Sequence, residues 1–173
     1  MHNFATWLYA TAPSVFMRDN ESWMIPTIQS VHIIGIATAV GSAFMIVMRV
    51  MGWLGADQTL LQTQRRYGPW LTGALWVLLA TGSLLVLAEP TREFDTISFW
   101  LKMGLVALMA VIALAFQSSV RRHDQRWETA ILGRADVKLA ALLTFVVWAA
   151  IIFLGRFIAY DTVWSHVFPG IKA

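Results

Sequence analysis

The stretch WMIPTIQSVHIIGIATAVGSAFMIVMR, from Trp23 to Arg49, determines how the rest of the chain is interpreted. It is apolar over more than the roughly 20 residues that an α-helix needs to cross a bilayer. One histidine, His32, lies about a third of the way along it. Ionisable side chains are rare at that depth in a membrane, because their charged forms are costly in hydrocarbon, and those that occur usually have a function. The stretch therefore predicts a membrane-spanning helix that carries a functional histidine.

The composition of the whole chain agrees with a membrane protein. Of its 173 residues, 58% are hydrophobic and 13% are charged, whereas about a quarter of the residues of a soluble domain are charged. The chain has no cysteine, which excludes disulfides, thiolate metal sites and cysteine nucleophiles. Its net charge of +3 comes from basic residues between apolar segments, which is typical of membrane orientation, so no nucleic-acid partner is expected.

Four apolar segments predict an all-α, integral membrane four-helix bundle that forms a single transmembrane domain over residues 1–173. The predicted spans are about 24–48, 69–89, 97–117 and 137–160. Asp95 or Thr96 is the expected N-cap of the third span. Aromatic residues before the first span indicate one or two short interfacial helices, with a frayed tail as the alternative. A further surface helix is predicted around Trp127.

Small residues mark one face of the first span. Gly35, Ala39 and Ala43 recur at steps of four residues, and such a ridge lets a second helix approach closely. Gln29 and His32 lie on or near the same face by helical spacing. We expect this face to pack against a neighbouring helix and His32 to point into the bundle.

The distribution of lysine and arginine predicts how the chain is oriented. The first and third connections between spans contain eight of these residues, and the two termini with the second connection contain four. The positive-inside rule then predicts that both termini are periplasmic or extracellular. His32, Glu89, Lys102 and Arg156 would all lie toward the outer leaflet. Each has a simple structural explanation alone, but their occurrence at one side favours a functional site.

Several short motifs resemble known families. Gln29-x-x-His32-x-x-Gly35, Arg49, Trp100-x-Lys102 and Gly155-Arg156 resemble an uncharacterised family of small bacterial four-helix membrane proteins. That family often has Asp-Leu-Arg where this chain has Val47-Met48-Arg49. The early histidine and the aromatic-x-Lys motif are also similar to the membrane-bound protoporphyrinogen oxidase family, which binds haem b, and to the copper-resistance membrane family. These resemblances imply a haem or metal site.

Three functions are compatible with these observations. In the first, the chain is a redox or electron-transfer module in which His32 ligates the iron of haem b, with Lys102 and Arg156 near the propionates and Gln29 and Glu89 as further binding residues. The sixth ligand would be absent, or would be a methionine, His166, Lys102 or a group from a neighbouring chain. In the second, the chain is a non-catalytic accessory subunit of a larger membrane complex, or a homo-oligomer. The third is a transporter component.

The orientation can be tested with topology reporters fused after Arg126 and at Ala173. We expect a reporter that works only in the cytoplasm to be active after Arg126 and inactive at Ala173, because the connections rich in arginine should remain inside. Activity of the same reporter at Ala173 would contradict the predicted orientation.

Overall fold

Eight α-helices make up most of the described chain in a computed structural model that describes residues 2–55, 57–94 and 97–157. Four of these helices, α3, α4, α6 and α8, are long and apolar enough to cross a membrane, which confirms the predicted all-α fold with four long apolar helices. The eight helices are α1 (His2–Tyr9), α2 (Ala12–Asp19), α3 (Glu21–Met51), α4 (Leu60–Ala88), α5 (Pro90–Phe94), α6 (Ile97–Arg122), α7 (Asp124–Gly133) and α8 (Ala135–Phe157).

The four long helices surround one apolar core. Helices α3 and α6 each contact both α4 and α8, so the four form a closed ring. The three alanines of the core come from α3 and α4, and the full set comprises Ala39, Ala43, Ile46, Leu71, Ala74, Met109, Trp148 and Ile151. Met109 is only 2% exposed within this cluster, which is the packing role expected of a methionine in such a core.

The predicted start of the second span is wrong. We expected a polar loop up to residue 68 and a span opened by Pro69, but α4 begins at Leu60. Thr59 accepts a hydrogen bond from the backbone N–H of Gln62 at 3.1 Å, and the Gln62 side chain accepts one from the N–H of Thr59 at 2.8 Å. This reciprocal capping box starts the helix early. Pro69 therefore lies inside α4.

The short helices agree with the sequence prediction. Helices α1 and α2 precede the first long helix and expose Phe4, Trp7 and Phe16, and α7 is the surface helix predicted around Trp127. Helix α1 packs on α5, where the rings of Phe4 and Phe94 are 5.8 Å apart. The predicted N-cap residues of the third span, 95 and 96, lie outside the described residues.

The small-residue ridge of α3 packs against α4, as predicted. Gly35, Ala39 and Ala43 are buried. A Cβ atom added at Gly35 would lie 3.1 Å from Cδ2 of Leu78 on α4. Since that distance is already tight for a single carbon, the two helices approach as closely as glycine allows.

A partly buried ion pair joins three helices at the end of the bundle that carries Arg49, which we call the basic end. Nη2 of Arg49 donates to a carboxylate oxygen of Glu128 on α7 at 2.9 Å, and its Nε donates to the carbonyl of Gln58 at 2.6 Å. The other oxygen of Glu128 accepts from the backbone N–H of Leu60. A carboxylate at this position is favourable because it faces the positive end of the α4 dipole.

The α3–α4 contact can be tested by replacing Gly35 with leucine. We expect Gly35→Leu to lower the free energy of unfolding by about 2 kcal/mol or more, because a leucine side chain would overpack against Leu78. Gly41→Leu on the same helix is the matched control, since a Cβ at Gly41 has no neighbour within 4 Å. Thermal unfolding in one detergent measures both. Equal stability of the two variants would contradict the close contact.

Candidate functional site

His32 lies at the contact between α3 and α4, pointing toward α4 as expected from its helical face. Its Nδ1 atom is 2.7 Å from the hydroxyl oxygen of Thr81, and the side chain is partly buried. A Cβ atom added at Gly82 would lie 3.5 Å from Cε1 of the imidazole. The ring therefore packs against a Thr-Gly pair near the end of α4.

The hydrogen bonds of Thr81 determine which nitrogen of His32 carries a proton. The Thr81 hydroxyl donates to the carbonyl of Val77 one turn earlier, at 2.6 Å. A hydroxyl has one proton, so its oxygen must accept the hydrogen bond from Nδ1–H of His32. The neutral imidazole in this tautomer keeps a lone pair on Nε2. No described residue forms a hydrogen bond with Nε2.

Lys102 brings a positive charge to the same end of the bundle. Its partly buried side chain runs from α6 to α8, where a Cβ atom added at Gly155 would lie 3.4 Å from Nζ. Helix α5, which carries Glu93, packs against α6, which carries Lys102. We call His32, Thr81, Glu93 and Lys102 the His32 cluster. Its members come from four helices.

The other predicted site residues have different surroundings. The side chain of Gln29 is exposed. Glu89 follows the last residue of α4 and is partly buried. The side chain of Arg156 lies outside the described part of the chain, as does His166.

Sequence reasoning missed Glu93 and the glycines that contact His32 and Lys102. Gly82 and Gly155 leave room for the imidazole and for the lysine side chain respectively. The sequence contains a signal for these two pairs. Gly82 lies about as many residues from the end of its apolar segment as His32 does, and the same is true of Gly155 and Lys102. Thr81 bonds back to its own helix and also accepts a hydrogen bond from His32.

A second group of buried polar side chains lies nearer the basic end. Gln64 is fully buried, and neither atom of its side-chain amide has a hydrogen-bond partner among the described residues. The buried side chain of Gln117 donates to Thr72 at 3.2 Å. A Cβ atom added at Gly68 would lie 2.5 Å from Nε2 of Gln64 and 3.3 Å from Oε1 of Gln117. A side chain at position 68 would therefore displace the amide of Gln64.

The His32 cluster provides one protein ligand suited to a metal. In the part of the chain that the structure describes, no three His, Asp or Glu side chains come together in a possible metal site. A single imidazole is too few ligands for a tetrahedral zinc site. It is sufficient for haem, in which the porphyrin supplies the equatorial bonds and one axial histidine can hold the iron.

The chain matches no protein-family model, no curated protein and no solved structure. The resemblances described above therefore rest on their short motifs alone, and the functional argument rests on the residues of the His32 cluster.

The His32–Thr81 hydrogen bond can be measured with a double-mutant cycle. Thr81→Val should cost about 1 kcal/mol of unfolding free energy, because the buried Nδ1–H would lose its acceptor, and Thr81→Ser should restore most of it. In the background of His32→Ala the Thr81→Val change should be nearly neutral. Thermal unfolding of the four proteins in detergent gives the coupling. Additive effects would mean that the two side chains do not interact.

Proposed function

We propose that this protein is a haem b-binding redox module of the bacterial inner membrane, and that Nε2 of His32 is the axial ligand. The observation that carries the proposal is the orientation of the imidazole, since Nδ1 donates to Thr81 and Nε2 retains its lone pair. Histidine ligands of metals commonly have their second nitrogen held in this way, because that hydrogen bond selects the tautomer and orients the ring.

The Thr81 hydroxyl is a neutral acceptor, and this affects the ligand that it orients. A carboxylate in the position of Thr81 would increase the electron density on the imidazole. The Thr81 hydroxyl, which donates its proton to the Val77 carbonyl, increases that electron density less. His32 would thus be a fixed and essentially neutral ligand. Its contact with Gly82 leaves one edge of the ring against the backbone of α4.

Lys102 supports the proposal through its charge. A cation partly buried in an apolar bundle is costly unless an anion is near it. Glu93 provides one negative charge, and the propionates of a haem would provide others. Arg156, one residue beyond Gly155, is a further candidate for the propionates by its position in α8, and Glu89 is a candidate polar neighbour at the end of α4.

One-electron transfer is the chemistry that haem b would supply at this site. The chain would contribute the ligand, the orientation of that ligand and a largely apolar surrounding, which are the means by which proteins set the potential of the iron. We propose that the His32 end faces the outside of the cell, in accordance with the basic connections at the opposite end.

Absorption spectroscopy of the protein purified in mild detergent tests the proposal. We expect a Soret band with the reduced spectrum of haem b, and loss of that band in His32→Ala. Lys102→Gln should keep the band and bind haem about tenfold more weakly, because a charged hydrogen bond contributes about 1.5–3 kcal/mol.

His123→Ala is the matched control, because His123 is exposed at the basic end and lies beyond the last residue of α6. It should leave the spectrum unchanged. A protein that shows no Soret band after supplementation with haem, or a His32→Ala variant with an unchanged spectrum, would contradict the proposal. The hydrogen-bonded histidine would then be a contact between helices, as in the accessory-subunit hypothesis.

A further inference from the structure

An apolar groove of about 500 Å³ runs along the outer surface of the α3–α4 pair. Ile34 and Thr38 form one wall, and Pro69, Trp70, Gly73 and Val77 form the other. The groove is open at Gly73, where an added Cβ atom would have no neighbour within 4 Å. The floor of the groove is formed by two buried residues, Gly35 and Ala74, and Ala74 also belongs to the apolar core.

The walls of the groove offer no unsatisfied polar group along most of its length. The Thr38 hydroxyl donates to the carbonyl of Ile34 at 2.8 Å, so its hydrogen-bonding capacity is used within its own helix. From Pro69 to Val77 the groove extends eight residues, or about 12 Å along α4. This is close to half of the roughly 30 Å hydrocarbon thickness. The groove therefore has the length of one leaflet.

The end of the groove nearest the basic end has a different character. Arg66 precedes Pro69 and Trp70 by three and four residues, so the three side chains share a face of α4. Arg65 and Arg66 are exposed and form no ion pair with a described carboxylate. Trp70 is 66% exposed, and no described residue accepts from its indole N–H.

We propose that this groove binds one anionic phospholipid, with an acyl chain along Gly73 and the phosphate at Arg66 and Trp70. The positive mouth complements an anionic headgroup, and basic pockets at the cytoplasmic ends of transmembrane helices are common sites for such lipids. A helix from a second copy would fill the groove poorly, because the groove extends across one leaflet only and opens at Arg66, which has no carboxylate partner among the described residues.

Lipid binding can be measured by native mass spectrometry of the delipidated protein. The probes are phosphatidylglycerol and phosphatidylcholine with the same acyl chains. We expect tighter binding of phosphatidylglycerol. Arg66→Gln should weaken that binding about fivefold and leave phosphatidylcholine unaffected, since one basic residue near a membrane surface contributes about that factor. Gly73→Leu should weaken the binding of both lipids by filling the groove.

Two substitutions on α6 serve as controls. Arg121 is exposed at the same end of the bundle, and Gly104 is open like Gly73, so Arg121→Gln and Gly104→Leu should bind both lipids as the unaltered protein does. Equal binding of the two lipids by the unaltered protein would overturn the proposal, as would equal effects of Arg66→Gln and Arg121→Gln.

Disulfide cross-linking would detect a dimer that forms through the groove. Because the chain has no cysteine, a Gly73→Cys variant can form a disulfide only with a second copy. Oxidation of this variant in membranes should leave it monomeric on a non-reducing gel. Efficient formation of a disulfide-linked dimer would overturn the lipid proposal in favour of a second copy in the groove.

Discussion

The close approach of α3 and α4 is the contact on which the other features of the bundle depend. Lipid chains are as apolar as leucine, so burial of apolar surface does little to hold membrane helices together, and close packing of small residues replaces it. Gly35 allows Leu78 to come within 3.1 Å of the position of a Cβ atom. At that separation the short side chain of Thr81 can reach His32. The same approach leaves a narrow groove on the outer surface of the helix pair.

Charged and amide side chains that contact a neighbouring helix lie toward the two ends of the bundle among the described residues. The His32 cluster occupies one end, and the Arg49–Glu128 ion pair with the Gln64–Gln117 group occupies the other. Ala74, Met109 and Trp148 form part of the apolar layer between them. Each end satisfies most of its polar groups by contacts between different helices, so these contacts specify which helices are neighbours while the apolar layer provides most of the buried surface.

Features that depend on local composition could be predicted from the sequence. Length and hydropathy identified the four long helices, and four-residue spacing identified the buried face of α3. The start of α4 could not be placed in this way, because the capping box of Thr59 and Gln62 outweighs the usual preference of proline for a helix start. The partner of His32 depends on the relative depth and rotation of two helices, which periodicity within one helix does not determine.

Gln29 illustrates the limit of that periodicity. It precedes His32 by three residues and so lies about 60° away from it around the helix axis. This angle is small enough for both to be assigned to one face, yet Gln29 is exposed and His32 is partly buried. Helix α4 covers only part of that face near the beginning of α3. How much of one helix's surface is covered depends on the position of the neighbouring helix. The sequence of the covered helix alone does not contain that information.

The position of His32 limits how a redox module of the proposed kind would work. The apolar layer that contains Met109 and Trp148 has no histidine, so the described residues offer no second histidine ligand between the His32 end and the basic end. An electron partner would have to approach at the surface near Glu93 and Lys102. Helices α1 and α2 precede the first residue of α3 in the chain and carry exposed aromatic side chains. Helix α1 packs on α5, and this packing places Phe4 against Phe94, the residue after Glu93. Helix α1 would therefore be part of the surface that such a partner meets.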